Sequence, residues 1–235
     1  VSVTVTGTND APTIDATATV ATGSTTENDF LPVLNSTGTI AFSDIDLIDT
    51  HTTSVAATNT NTLGGTLTMA DASELATTEG GTVGWTYAVN SSAVQYLADG
   101  ESATESFTVT VSDGKGGSAT QDVTITITGT NDAPEITSSV QTGSVDEDGV
   151  LTASGQVTSS DVDTGATATF SVANATGTYG SFTVTTAGEW TYTLTNDQTL
   201  SANDSFQETF TVTVTDDQGA TDTQSVTITI KGTND

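Results

Sequence analysis

Hydrophobic and polar residues alternate along most of this 235-residue chain. In one clear example, Phe107, Val109 and Val111 share one face and Thr108 and Thr110 the other. A period of two is typical of strands buried on one side. Breaks rich in glycine, aspartate and asparagine recur about every 8–15 residues and predict turns. The pattern therefore predicts about seven short strands per roughly 100 residues, as in an immunoglobulin-type sandwich.

The chain also repeats itself. The string Gly-Thr-Asn-Asp occurs three times after a strand pattern, at Gly7–Asp10, Gly129–Asp132 and Gly232–Asp235. A Trp-Thr-Tyr triplet occurs at Trp85 and again at Trp190, and alternation predicts that its rings point inward. Self-similarity at this spacing indicates tandem structural repeats.

These landmarks define the predicted domains. The expected fold class is all-β, with two tandem immunoglobulin-like antiparallel β-sandwiches. We expect residues 1–10 to be the last strand and linker of a preceding repeat. Residues 11–130 form repeat 1, with an insertion near 69–81, and residues 131–235 form repeat 2, which ends in the next linker. Only Ala70–Thr78, within the insertion, looks helical.

Charge and composition exclude several partners. The chain has 30 acidic and 2 basic side chains and a net charge of −28. Binding to nucleic acid or anionic lipid relies on lysine and arginine, so neither is an expected partner. No stretch is apolar enough to span a bilayer, and we expect no membrane insertion. Without cysteine, disulfides and cysteine-type zinc sites are excluded.

The acidic residues fall at matched positions in a seven-strand sandwich. Asp161 and Asp163 lie in the predicted B–C turn and Asp216 opens the F–G turn, all beside the entering Asn131–Asp132. In repeat 1, Glu27 near the A–B bend and Glu101 and Glu105 near the E–F crossing face the same linker. We therefore expect roughly eight to ten acids from both repeats around one joint.

Such a cluster needs cations. Two carboxylates about 4 Å apart repel by roughly 1 kcal/mol in water and by about 4 kcal/mol at an effective dielectric constant of 20. Oxygen ligands without histidine or cysteine favour calcium over zinc or copper. Calcium held by both repeats would lock their relative orientation. The alternative is that these acids are solvated turn residues, since aspartate suits turns on its own account.

Together, the motifs Gly-Thr-Asn-Asp-Ala-Pro, Asp-x-Asp, Trp-x-Tyr and Glu-x-Phe-x-Val-x-Val-x-Asp resemble the VCBS-type, cadherin-like repeats of large type I-secreted (RTX) bacterial surface adhesins. The resemblance covers essentially the whole chain and implies calcium ligands in three groups. At the central joint these are Glu27, Glu101 or Glu105, Asn131, Asp132, Asp161, Asp163 and Asp216. Upstream they are Asn9, Asp10, Asp44, Asp46 and Asp113. Downstream they are Glu147, Asp204, Glu208, Asn234 and Asp235.

The resemblance also implies a function. We expect calcium-rigidified extender domains that project a distal binding region for cell adhesion or biofilm formation. The expected location is the outer surface of a bacterium, after type I secretion. Expected partners are neighbouring repeats of the same chain and, through other domains, a surface glycan or another cell.

Two other functions are alternatives at this point. One is a glycan-binding or homophilic module, whose recognition surface would involve the insertion and residues 51–61. The other is a polysaccharide-active enzyme. It is disfavoured because the paired aspartates recur in turns of both repeats instead of flanking a cleft. His51, with no second histidine or cysteine nearby, is expected to be a surface loop residue.

Overall fold

The computed structural model describes residues 1–58, 61–195 and 200–233. Within these ranges the chain is built from β-strands, with no α-helix and one short 3₁₀ turn at Ser91–Ala93. It divides into two compact units, residues 1–130 (unit 1) and 131–235 (unit 2). The prediction of an all-β protein with two sandwiches is confirmed.

Unit 1 packs two sheets face to face. Its strands are β1 (Thr13–Ile14), β2 (Thr22–Thr26), β3 (Val33–Ser43), β4 (Thr52–Ala57), β5 (Thr66–Met69), β6 (Ser73–Glu74), β7 (Gly80–Asn90), β8 (Ser102–Ser112) and β9 (Ser118–Thr128). One sheet has the order β1-β3-β7-β5, and β6 also pairs with β7. The other has the order β2-β9-β8-β4.

Unit 2 repeats this plan. Its strands are β10 (Glu135–Ile136), β11 (Gln141–Asp146), β12 (Thr152–Gln156), β13 (Ser159–Ser160), β14 (Ala168–Val172), β15 (Gly180–Val184), β16 (Glu189–Leu194), β17 (Ser205–Asp216) and β18 (Thr221–Lys231). The order β11-β18-β17-β14 matches the second sheet of unit 1. The other sheet is divided into the pair β10-β13 and the triple β12-β16-β15.

Each unit contains one parallel strand pair that the prediction of antiparallel sandwiches did not include. β2 runs parallel to β9, and β11 runs parallel to β18. The parallel pairs arise because the first part of each unit contributes one strand to each of its two sheets. β1 pairs antiparallel with β3, and the chain then changes sheet and continues as β2 beside the last strand.

The alternation predicts the core correctly. Phe107, Val109 and Val111 are buried, and so are Trp85 and Tyr87 of the repeated triplet. The equivalent Trp190 and Tyr192 are buried in unit 2. Both tryptophan rings lie over a glycine of the neighbouring strand. A Cβ added at Gly38 would lie 2.2 Å from Cζ2 of Trp85, and one at Gly155 would lie 2.6 Å from Cζ2 of Trp190.

The predicted helical appearance of residues 70–78 is wrong. The segment contains the short strand β6, which pairs with β7 through Ser73 and Thr82. A sequence of about nine residues is too short to hold a helix by itself, and the adjacent strand offers backbone partners instead. In unit 2 the equivalent connection between β15 and β16 spans only residues 185–188.

The alternation of Val1–Val5 predicts a strand, but residues 1–12 form no strand in this structure. Pairing of that segment with a preceding repeat stays a prediction.

Candidate metal sites

The first residues of unit 2 are held by an aspartate from the turn between β17 and β18. Nδ2 of Asn131 donates hydrogen bonds to Oδ2 of Asp216, at 3.0 Å, and to the backbone oxygen of Asp132, at 2.8 Å. The other oxygen of Asp216 accepts from the backbone N–H groups of Gln218 and Ala220. The asparagine amide therefore orients one carboxylate oxygen while the turn backbone holds the other.

The Asp-x-Asp turn before β14 completes this group. The backbone N–H of Asp132 donates to Oδ2 of Asp163 at 2.9 Å. The N–H of Asp163 donates in turn to Oδ1 of Asp161 at 3.0 Å. The structure thus brings together all five unit 2 residues predicted for the central joint: Asn131, Asp132, Asp161, Asp163 and Asp216. We call them the unit 2 acidic cluster.

Asp161 and Asp163 each have a buried carboxylate oxygen for which the described residues provide no hydrogen-bond donor. Among the described residues, no hydrogen bond reaches Oδ2 of Asp161 or Oδ1 of Asp163, although both atoms are shielded from solvent. A buried carboxylate oxygen without a partner is costly and rare, so it calls for a specific explanation. A hard divalent cation with several oxygen ligands would satisfy both atoms.

Asp163 and Asp216, two members of this cluster, differ in acidity. Burial raises the pKa of Asp163 above its ordinary value, and the charges of Asp161 and Asp216 raise it further despite the hydrogen bond from Asp132. Burial also acts to raise the pKa of Asp216, but hydrogen bonds from Asn131 and the turn backbone outweigh it and leave that pKa lowered. Asp216 is therefore stabilised as an anion, whereas burial and neighbouring charges disfavour the ionised form of Asp163.

Unit 1 builds the same arrangement from its own residues. Asn9 donates to Oδ2 of Asp113 at 2.9 Å, and the N–H of Asp10 donates to Oδ2 of Asp46 at 2.8 Å. The N–H of Asp46 then donates to Oδ1 of Asp44 at 2.9 Å. All five upstream residues predicted from the sequence therefore meet in one place, which we call the unit 1 acidic cluster. Hydrogen bonds from Asn9 and the turn backbone lower the pKa of Asp113.

Two further acids, Asp49 and Glu74, join the unit 1 cluster together with Lys115 and His51, and sequence reasoning missed all four contacts. Asp49 is buried and its Oδ1 is paired with the ammonium group of Lys115. This contact raises the pKa of Lys115. His51 contacts Asp44 through Nε2, at 3.1 Å, and Glu74 through Nδ1, at 2.7 Å.

The prediction that His51 is a surface loop residue is wrong, since only 9% of it is exposed. Burial acts to lower its pKa, but the hydrogen bonds and charges of Glu74 and Asp44 outweigh burial and raise it. The signal for Asp49 was present in the sequence, as a third aspartate in the turn Asp44-Ile-Asp46-Leu-Ile-Asp49.

One carboxylate oxygen from each of Asp44, Asp49 and Asp113 lies within 4.8 Å of the other two. This spacing suits a single cation among three acids. Oδ2 of Asp49 is buried and accepts no hydrogen bond from the described residues. Both acidic clusters therefore combine oxygen ligands with buried, unsatisfied carboxylate atoms, and this fits calcium chemistry.

The opposite end of each unit holds a different pair of acids. In unit 1 the buried Glu27 accepts hydrogen bonds from Gln95, at 2.7 Å, and from the N–H of Thr130, at 3.0 Å. Glu101 is exposed, and its side chain accepts only one hydrogen bond among the described residues, from the N–H of Ala98.

In unit 2, Glu147 takes the corresponding place and accepts from the N–H groups of Leu200 and Thr233. Asp204 accepts from the N–H of Ser201. These acids organise the backbone where each unit ends. The predicted ligands Asn234 and Asp235 lie outside the described residues.

Glu105 and Glu208 make hydrogen bonds inside their sandwiches, and their assignment to metal sites stays a prediction. Glu105 is fully buried and accepts hydrogen bonds from the hydroxyl of Tyr87, at 2.7 Å, and the N–H of Leu63, at 2.9 Å. Glu208 accepts from the hydroxyl of Tyr192 at 2.7 Å and from the N–H of Tyr179. Both carboxylates have partners on both oxygens and brace the sandwich. Burial and the neighbouring carboxylate raise the pKa of each tyrosine.

Comparison with known families supports the fold. Residues 131–232, nearly all of unit 2, match the family model described as "Bacterial cadherin-like domain". No curated protein sequence matches the chain significantly.

Solved structures of cadherins share the architecture. The four-domain structure of Drosophila N-cadherin (EC1–4) is 17% identical, with a TM-score of 0.53, over 95% of this chain and 50% of that one. The structure of mouse cadherin-23 (EC22–24) is 17% identical, with a TM-score of 0.47, over 96% of this chain and 67% of that one. The chain thus spans about half the length of the Drosophila structure. At this identity the similarity to the Drosophila structure establishes a cadherin-like sandwich fold.

The described part of the chain contains no helix with the length and hydrophobicity needed to cross a bilayer.

Proposed function

We propose that the chain consists of calcium-rigidified extender domains of a large bacterial surface adhesin. In this role the two units act as stiff spacers that hold a distal binding region away from the cell. Neighbouring repeats of the same chain would be the direct partners. A glycan or another cell would be bound by other domains.

The observation that carries the proposal is the pair of buried carboxylate oxygens on Asp161 and Asp163 that accept no hydrogen bond from the described residues. They lie beside Asp132, whose own backbone is bonded to Asp163. A calcium ion held by the unit 2 acidic cluster would offset the charge of these groups. It would also fix the backbone of the first two residues of the unit.

The position of the cluster along the chain suggests how calcium would stiffen an array. The amide of Thr130, the last residue of unit 1, is bonded to Glu27. The next residue is Asn131, which is bonded to Asp216. Calcium that orders the Asn-Asp segment would remove conformational freedom where the chain passes from one unit to the next. Fixing one residue's backbone costs about 1–2 kcal/mol of entropy, which ion binding would have to exceed.

Extracellular modules bind calcium with dissociation constants of roughly 10⁻⁴–10⁻³ M. In millimolar calcium such sites are largely filled, and each site tenfold above its dissociation constant adds about 1.4 kcal/mol of stability. A low-calcium cytosol would leave the segment loose, which would suit type I export as an unfolded chain. The working protein would therefore act at the outer cell surface, where calcium is available.

The test combines calorimetry with small-angle X-ray scattering of the 235-residue chain, in calcium and then in chelator. We expect calcium uptake and a larger maximum dimension when calcium is bound. The control variant Asp161→Asn/Asp163→Asn should lose uptake in unit 2 and show a smaller change in dimension. The proposal would be contradicted if calcium titration of the wild type produced no heat of binding and the scattering curve were the same in calcium and in chelator.

A further inference from the structure

We infer that Lys115 is a tethered cation that occupies the unit 1 acidic cluster and competes there with calcium. The unit 1 cluster would therefore bind calcium more weakly than the unit 2 cluster. This inference rests on the proposed function and deepens it, because it assigns the two sites different calcium thresholds.

The unit 1 cluster has the properties of a cation site independently of its sequence motif. Asp44, Asp49 and Asp113 each contribute an oxygen to a group within 4.8 Å. The side chain of Asp49 is completely buried. Its Oδ2 atom nevertheless accepts no hydrogen bond from the described residues. A buried, unsatisfied oxygen beside two other carboxylates indicates a position where positive charge is needed.

Lys115 supplies part of that charge. Its ammonium group contacts Oδ1 of Asp49, while half of the lysine side chain remains exposed to solvent. A lysine is a compact charge on a flexible stem, so it can leave the cluster without disturbing the turn that carries it. A single positive charge cannot neutralise three carboxylates, and Oδ2 of Asp49 stays unsatisfied while the lysine is bound.

Unit 2 lacks both members of this ion pair. The N–H of Asp49 bonds to the backbone oxygen of Asp46, and the equivalent bond in unit 2 runs from Ala166 to Asp163. Ala166 therefore stands where unit 1 has Asp49. By the same comparison, Gln218 stands in the place of Lys115, since each donates its backbone N–H to the aspartate two residues earlier.

The chemical consequence is a difference in competition. Calcium entering the unit 1 cluster has to displace the lysine ammonium group from Asp49, and Asp49 then becomes an additional oxygen ligand. In the unit 2 cluster no side-chain cation has to leave. The chain has only two basic residues, and placing one of them among these acids gives unit 1 partial neutralisation without metal.

The test is a site-resolved calcium titration of the ¹⁵N-labelled 235-residue chain. The N–H of Gly117 bonds to Asp113 and the N–H of Ala220 bonds to Asp216, so each amide reports on its own cluster. We expect Ala220 to reach half-saturation at a lower calcium concentration than Gly117. Lys115→Gln should lower the Gly117 midpoint by about three- to tenfold and leave the Ala220 midpoint unchanged.

Reciprocal variants sharpen the assignment. Ala166→Asp/Gln218→Lys, which grafts the ion pair onto unit 2, should raise the Ala220 midpoint. Asp49→Ala/Lys115→Gln should bring the two midpoints together. A Gly117 midpoint that changes less than twofold in Lys115→Gln would overturn the inference and leave the proposed function intact. The absence of any calcium-dependent shift at either amide would overturn both. If the Ala166→Asp/Gln218→Lys variant fails to fold, the result for Lys115→Gln is sufficient to test the inference. This substitution should be tolerated, because glutamine already occupies the matching position of unit 2, at Gln218.

Discussion

The backbone N–H of Asp132 donates a 2.9 Å hydrogen bond to Oδ2 of Asp163, which ties the entry of unit 2 to the turn before β14. Asp10 and Asp46 make the same bond in unit 1, at 2.8 Å. The two contacts join residues 31 and 36 positions apart in the sequence. In both units, therefore, the residues of the linker motif are bonded directly to the Asp-x-Asp motif.

Replacing Asp163 by asparagine tests the electrostatic role of that contact. The pKa of Asp163 is raised in the folded state by burial and then by its acidic neighbours. A raised carboxyl pKa means that the stability it contributes is present below the unfolded-state pKa and is lost as pH rises through the folded-state pKa. At neutral pH without calcium, Asp163→Asn should therefore be at least as stable as the wild type.

The same variant should lose most of the stabilisation that calcium provides to unit 2. For a site tenfold above its dissociation constant this is about 1.4 kcal/mol, or roughly 5–10 °C for a domain of this size. Differential scanning calorimetry in calcium and in chelator measures both effects. An undiminished calcium response in Asp163→Asn would remove Asp163 from the ligand set.

Replacing Gly155 by alanine, which adds a Cβ, should destabilise unit 2. Its Cβ would lie 2.6 Å from Cζ2 of Trp190, inside the packing distance of a buried ring. Overpacking of this kind costs about 1–3 kcal/mol. Gly149 is the matched control, because its Cβ would meet only Cβ of Asp146 at 3.5 Å. Urea unfolding should separate the two variants, and equal midpoints would argue against the tryptophan–glycine contact as a packing constraint.

Phenylalanine at Tyr87 removes the hydroxyl that bonds to Glu105 at 2.7 Å. Glu105 is fully buried, so water cannot replace the lost donor, and we expect a loss of roughly 2–3 kcal/mol of unfolding free energy. Tyr192→Phe is the comparison in unit 2, where Glu208 is only partly buried and water can reach it. Its loss should be smaller, about 1 kcal/mol. Chemical denaturation measures both, and the opposite ranking would show that Glu105 does not depend on the hydroxyl.

We expect His51 to make the stability of the calcium-free protein depend on pH. The net effect of its surroundings, with Glu74 and Asp44 outweighing burial, raises its pKa above 6.5. The stability that protonated His51 contributes is therefore fully present below pH 6.5 and is lost as pH rises through the folded-state pKa. At pH 6 the wild type should have a higher melting temperature than His51→Gln, and its free energy of unfolding should be larger by about 1 kcal/mol. Both differences should be smaller at pH 8. A pH-independent difference would mean that His51 acts only by packing.

The alternation along β8 shows where sequence reasoning succeeded. Alternation in β8 predicts that Phe107, Val109 and Val111 point inward, and they do. The same parity puts Glu105 on the inward face. The alternation alone therefore predicts that Glu105 is buried, as the structure shows.

The sequence by itself determined the strands, the inward aromatic residues, the repeated plan and the residue types of both acidic clusters, because these depend on a local period of two and on recurring motifs. Only the tertiary structure decided that His51 is buried against Glu74 and that Lys115 reaches Asp49. Lys115 and Asp49 are 66 positions apart, and His51 and Glu74 are 23 apart. Contacts at such separations depend on how sheets and turns pack in space, and local alternation carries no information about that packing.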